Sequence, residues 1–245
     1  MCSSDLTMRS LVYSVANRLD RAENGPEEER EYLLGLVELM TPIVKAHCSD
    51  LGFEVCVTAM QVFGGYGYTG EYPVEQNTRD SKISSIYEGT NGIQAMDLLG
   101  RKMRKGNGAL FMGWLNECNL ELERAKATGK LDEEVSALER ARDQLGQTAM
   151  FLGGLGMQGK LAGAMLNSYP FLQLFGTVVL GLHALWQARI ALEKLGGASD
   201  ADQRFYKGKL ANARFYAKNI LPRATALSKA IQAGDETALE DGLFD

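Results

Sequence analysis

Apolar residues recur at three- and four-residue intervals along nearly the whole chain, a period that admits α-helices and little else. Leu11, Val12, Val15, Ala16 and Leu19 form one stripe, and Leu33, Leu36, Val37 and Met40 a second. Val44, Cys48, Leu51, Val55, Ala59 and Val62 form a third, ending at Phe63. The breaks are chemically legible. Glu23-Asn24-Gly25-Pro26 precedes an acidic run, Glu27 to Glu31, that suits the positive end of a helix dipole. Thr41-Pro42 predicts a kink, or a fresh helix with Thr41 as its cap. The glycine-rich stretch from Gly64 to Pro73 interrupts the pattern outright, and helical spacing resumes over roughly 74–87 and 90–103. Arg101, Lys102, Arg104 and Lys105 then complement a helix C-terminus.

Gly106-Asn107-Gly108 is the expected domain boundary. Beyond it lie four long amphipathic patterns. Leu110, Trp114, Cys118 and Leu122 mark the first; Leu131, Val135, Leu138, Leu145 and Leu152 the second. After a break expected at Gly153–Gly156 comes a third, with Leu172, Phe175, Val179, Leu182, Trp186 and Ile190. Tyr206, Leu210, Ala213, Ala217 and Ile220 form the fourth, following a Ser199 cap region. Pro170 and Pro222 should start or kink helices. The fold class is therefore all-α: a helical bundle over residues 1–105, then a second, four-helix bundle-like domain over 109–245.

Composition narrows the function. A chain of 245 residues that is 45% hydrophobic and 23% charged has a real core, and its net charge of −5 argues against nucleic-acid binding. No apolar run reaches the ~20 residues of a membrane span, and the start Met1-Cys2-Ser3-Ser4 lacks a leader's character, so the expected compartment is the cytoplasm. The four cysteines form no Cys-x-x-Cys pair. The two histidines, His47 and His183, lie in apolar stripes without a Glu-x-x-His motif, so no metal site is expected and both read as core residues. Gly65-x-Gly67-x-x-Gly70 matches a dinucleotide fingerprint formally. It lacks the preceding strand and βαβ context that would give the match meaning.

Residues 61–94, QVFGGYGYTGEYPVEQNTRDSKISSIYEGTNGIQ, carry a more specific pattern. Gln61-x-x-Gly64-Gly65-x-Gly67-Tyr68, Glu71-Tyr72-Pro73-Val74-Glu75, Arg79-Asp80 and Ile86-Tyr87-Glu88-Gly89-Thr90 with Ile93-Gln94 resemble, in order and spacing, the C-terminal helical domain of the acyl-CoA dehydrogenases. The resemblance covers residues 5 to 105. The remainder is similar, more loosely, to the extra C-terminal helical domain of a bacterial subgroup that includes enzymes similar to methylthiopropionyl-CoA dehydrogenase.

The resemblance implies FAD as cofactor, an acyl-CoA as substrate and electron-transfer flavoprotein as acceptor. It implies that Glu88 is the base that removes the substrate α-proton while the β-hydride passes to the flavin. Such a base should be desolvated, and the enolate-like oxygen needs preorganised donors, one of them the N–H of the base residue. Tyr87 and Gly89 fall beside the substrate, and Thr90 and the backbone at Asn91-Gly92 on the phosphate and sugar side of FAD. Gln61 and Gly65 fall at the FAD adenosine of a neighbouring subunit, which implies a dimer or tetramer.

Plainer readings stand beside these. Thr90 can be an N-cap, Gly64, Gly65 and Gly67 only a turn, and Arg79 and Asp80 a structural pair. Departures also count. Against the family pattern, the N-terminal helical domain and β-domain are expected to be missing, the first bundle is expected to begin one helix late, and Gly92 replaces a larger polar residue. The expectation is a C-terminal portion, inactive alone. A non-enzymatic helical interaction module and an acyl-CoA oxidase-like variant remain open as alternatives.

Overall fold

The computed structural model describes residues 2–242, and no strand occurs among them. α1 (Cys2–Asn24) and α2 (Glu27–Pro42) form a hairpin turned at Gly25-Pro26. α2 does not end at its proline. It runs through a π-helical turn, Ile43–His47, into α3 (Cys48–Phe63), so the chain here is one long interrupted helix. Thr41 is not a cap; its hydroxyl donates to Val37 O within the helix. A single turn, α4 (Gly65–Tyr68), and α5 (Val74–Ile83) fold back along α3. α6 (Asn91–Asp97) follows, extended by a second π-helical turn, Leu98–Lys102.

The remaining helices are α7 (Ala109–Lys126), α8 (Asp132–Met157), α9 (Leu161–Leu166), α10 (Ser168–Leu195), α11 (Asp200–Asn219) and α12 (Pro222–Gln232). This is more than the four helices expected. Pro222 starts a further helix, as its fixed φ favours at a first turn. The expected break at Gly153–Gly156 is absent. α8 continues through these glycines to Met157, because packing of Leu145 and Leu152 in the core outweighs about 1 kcal/mol of helix propensity per glycine. The chain turns instead at Gly159, where φ is 79°.

α10 is the axis around which the others pack: α1, α6, α7, α8, α11 and α12 all touch it. Phe171 and Phe175 are fully buried, and Phe175 meets Phe111 and Trp114 with ring centroids 5.4 and 4.8 Å apart. Each such side chain contributes roughly 2–3 kcal/mol of burial. By length and composition alone α10 could cross a membrane, but 78% of its most apolar window is buried among the other helices, as in the core helix of a globular fold. Gln173, Thr177 and His183 interrupt its apolar run, which hid it in the sequence. One hydrophobic cluster extends from Leu11 to Ile231, across the left-handed turn Gly106-Asn107-Gly108 (φ 60°, 55° and 84°).

Two further details depart from the periodicity. In α1 the buried face is Thr7, Leu11 and Ala22, whereas Val12 and Leu19 are exposed. Met112, Met150 and Met157 are exposed as well, although Trp114 lies in the core as its stripe suggested.

Candidate functional site

No residue of α3 is fully buried. With α4, α5 and the loop that follows, it forms an arm that presents Val62, Phe63, Tyr66, Tyr68, Tyr72, Ile83, Ile86 and Tyr87 to solvent. Tyr72 meets Phe63 and Tyr66 with ring centroids 6.0 and 5.8 Å apart, and an exposed aromatic cluster of this kind marks a face meant for contact. Gly64 makes the turn into α4 at φ 61° and ψ −143°, a conformation reserved for glycine.

The loop between α5 and α6 carries Tyr87, Glu88 and Gly89. Its ends are tied by the Asn91 N–H donating to Ser85 O at 3.2 Å. Thr90 is the N-cap of α6, its hydroxyl accepting from Ile93 N at 3.3 Å, so the plain reading of Thr90 holds. Glu88 has φ 55° and Gly89 φ 81°. The left-handed region is natural for glycine but costs a glutamate roughly 1–2 kcal/mol. The only other non-glycine residue there among the described residues is Asn107, a type that tolerates it. A strained glutamate held on a loop points to function. The turn also leaves the Glu88 N–H without an acceptor among the described residues.

Glu88, Tyr87, Gly89, Thr90, Gly92, Gln61 and Gly65 are all exposed. The desolvation expected around Glu88 is therefore not supplied by these helices. Gln61 and Gly65 are also remote from the Glu88 loop's anchor. Asp50, which touches Asn91, lies eleven residues before Gln61 on α3, about 16 Å along the axis. A Cβ on Gly65 would meet nothing within 4 Å, and one on Gly92 only the Thr90 hydroxyl at 3.9 Å. Neither glycine is demanded by this chain's own packing. Arg79 pairs loosely with Glu75 at 4.0 Å rather than with its neighbour Asp80, and is 83% exposed.

Residues that no sequence signal singled out hold the loop in place. Lys45 Nζ donates to Gly89 O at 2.6 Å and to Asn91 Oδ1 at 2.9 Å. Buried Asn91 donates to Asp50 Oδ1 at 2.7 Å, Ser49 Oγ at 2.9 Å and Ala46 O at 3.2 Å. From α10, Tyr169 and Gln173 donate to Asp50 Oδ2 at 2.6 and 2.9 Å. Burial first, then the Asp50 bond, pushes the Tyr169 phenol up to about 12.

The Gln173 amide oxygen accepts at 2.6 Å from His47 Nδ1, which therefore carries the ring proton. His47 Nε2 is buried with no partner. Burial lowers the His47 pKa to about 4 and that of His183, bonded to Ser10, to about 3, so both are neutral core residues as expected. The Cys48 and Cys118 thiols are free and pushed up to about 12 by burial. No group of His, Cys, Asp and Glu suited to a metal occurs among the described residues.

The described residues thus form an all-helical scaffold with a strained, exposed glutamate on its α5–α6 loop. Comparison with known proteins supplies the class. Residues 6–103 match the family model described as acyl-CoA dehydrogenase, C-terminal domain, and residues 114–240 match acetyl-CoA dehydrogenase C-terminal like. The chain belongs to the acyl-CoA dehydrogenase family. It is 35% identical to a butyryl-CoA dehydrogenase of Syntrophomonas wolfei over 95% of its own length. It is 33% identical to 3-methylmercaptopropionyl-CoA dehydrogenase of Ruegeria pomeroyi over 93%. It spans 38% of the length of each of these relatives. The crystal structure of Caenorhabditis elegans ACDH-11 in complex with C11-CoA shares the fold, with a TM-score of 0.69 at 18% identity, covering 98% of this chain and 39% of that one.

Proposed function

We propose that this chain supplies the base-bearing part of an FAD-dependent acyl-CoA dehydrogenase site, with Glu88 taking the α-proton of an acyl-CoA thioester. The observation that carries the reading is the left-handed, exposed Glu88, whose own N–H has no acceptor among the described residues. A carboxylate can accept the α-proton while an amide N–H stabilises the oxyanion that forms on the thioester oxygen. Tyr87 and Gly89 flank Glu88 and serve as the substrate contacts.

The residues present fit FAD. Gly65 and Gly92 leave open space where a cofactor backbone can approach closely, and Thr90 with Gly92 opens a helix. When bound, the flavin supplies the two-electron acceptor for the β-hydride. Gln61 and Gly65, remote from the Glu88 loop, serve the cofactor of a second subunit, so the working form is a dimer or tetramer. Residues 1–105 and 109–245 are its two family domains, joined through a shared core. Electron-transfer flavoprotein is the acceptor, and the cytoplasm its compartment.

The test is spectral. In the holoenzyme that contains this chain, anaerobic addition of an acyl-CoA bleaches the visible flavin band. Glu88→Gln slows that bleaching by roughly 100- to 10,000-fold with bound FAD unchanged. Bleaching at the original rate in the variant removes Glu88 from the role.

A further inference from the structure

The polar cluster between the Glu88 loop and α10 has no part in the chemistry proposed above. Its members span both halves of the chain: Lys45 and Asp50 on the long α2–α3 helix, Asn91 at the start of α6, Tyr169 and Gln173 on α10. We propose that Tyr169 and Gln173 are positioning residues, through which α10 holds the Glu88 loop in its left-handed form by way of Asp50, Asn91 and Lys45. The proposal rests on the reading of Glu88 as the base, and gives residues 109–245 a part in the site.

The loop has little else to hold it. Residues 86–90 are all exposed, and Glu88 is in a conformation that persists only where surrounding contacts overdetermine it. Three contacts do so: Thr90 capping α6, Asn91 N–H on Ser85 O, and Lys45 on Gly89 O. Two of the three pass through Asn91, because its backbone closes the loop and its Oδ1 receives the same ammonium that grips Gly89. Asn91 is in turn oriented by Asp50 Oδ1. Asp50 Oδ2 receives both donors from α10, from residues one helical turn apart on one face. With both donors removed, that half of the carboxylate has no protein partner, and Asp50 is free to rotate away from Asn91. Hydrogen bonds to a charged group are the strong ones, so this route transmits more than neutral contacts would.

The experiment is amide hydrogen exchange on the 245-residue chain, comparing wild type with Tyr169→Phe, with Tyr169→Phe/Gln173→Leu and with His47→Leu. Gln173→Leu also removes the His47–Gln173 bond, and His47→Leu removes that same bond without touching Asp50, so equal acceleration in His47→Leu overturns the route through Asp50. Tyr169 is about two-fifths exposed and loses a single oxygen, so the fold survives the first variant. Exchange at Asn91, Ile93 and Gln94 accelerates roughly tenfold in the double variant, the scale of one charged hydrogen bond, while amides of α11 and α12 keep their rates. In the holoenzyme the same variant lowers kcat roughly five- to tenfold with KM and FAD content unchanged, the signature of a misplaced group rather than a weakened fold. Unchanged exchange around Asn91, or equal acceleration everywhere, overturns the proposal. Local acceleration with unchanged kcat upholds the tether and removes Glu88 from the chemistry instead, so the two readings fail separately.

Discussion

Glu88 accepts a backbone conformation that suits glycine, and the cost is open to measurement. In the isolated chain Glu88→Gly should raise stability by about 0.5–1 kcal/mol, seen as a higher urea midpoint with unchanged slope. A lower midpoint would mean that the loop is not strained. The histidines set the acid limit. His47 and His183 are held neutral, with folded pKa values near 4 and 3 against an ordinary value of 6.5. Between those values the unfolded chain binds protons that the folded chain does not. The stability they contribute is thus complete above pH 6.5 and lost as pH falls through the folded values. The thermal midpoint should drop between pH 6.5 and 4, with a loss on the order of 3 kcal/mol for each histidine at the acid end. His183→Gln should flatten that fall; an identical pH profile in the variant would assign the loss to carboxylates. Glu88 was legible in the sequence because a local run of residues carries it. Lys45, Asp50, Tyr169 and Gln173 were not, because each looks ordinary on its own helix and they meet only in the folded chain.

Among the helices, α7 and α10 are locked by a buried ion pair. Arg189 Nε and Nη2 contact the two Glu121 carboxylate oxygens at 2.5 and 3.1 Å, and both side chains are nearly buried. Such a pair is weak evidence for net stability, and removing Glu121 leaves Arg189 with only the half-exposed Glu193, at 2.6 Å. With Glu193 still on Arg189, Glu121→Ala should cost about 1–3 kcal/mol by chemical denaturation, and Glu121→Ala/Arg189→Met clearly less. A single-variant cost below about 1 kcal/mol would show the pair to be solvated. The order and period of the helices could be read from the stripes of Leu36, Leu122, Leu138 and Val179. The places where the reading failed share one cause. Thr41-Pro42 and Gly153–Gly156 are local stop signals that tertiary packing overrode, the first with a π-helical turn and the second by burying Leu145 and Leu152. Gly176 shows the converse: a Cβ there would lie 2.3 Å from the His47 ring, a requirement set by the crossing of two helices and invisible in either one.

At the scale of the molecule, a single continuous core supports an arm whose candidate site residues are all exposed. On that arm Glu88 is exposed, while Asn91, three residues on, is buried. The most direct test of Glu88 as the base isolates proton abstraction from oxidation. It uses the holoenzyme in deuterium oxide with an acyl-CoA analogue whose β-position is sulfur, so that no hydride can leave. The account expects exchange of the analogue's α-protons with solvent, observed by proton NMR, and its slowing by roughly 100-fold or more in Glu88→Gln with FAD still bound. Exchange that continues at the wild-type rate in Glu88→Gln would contradict it.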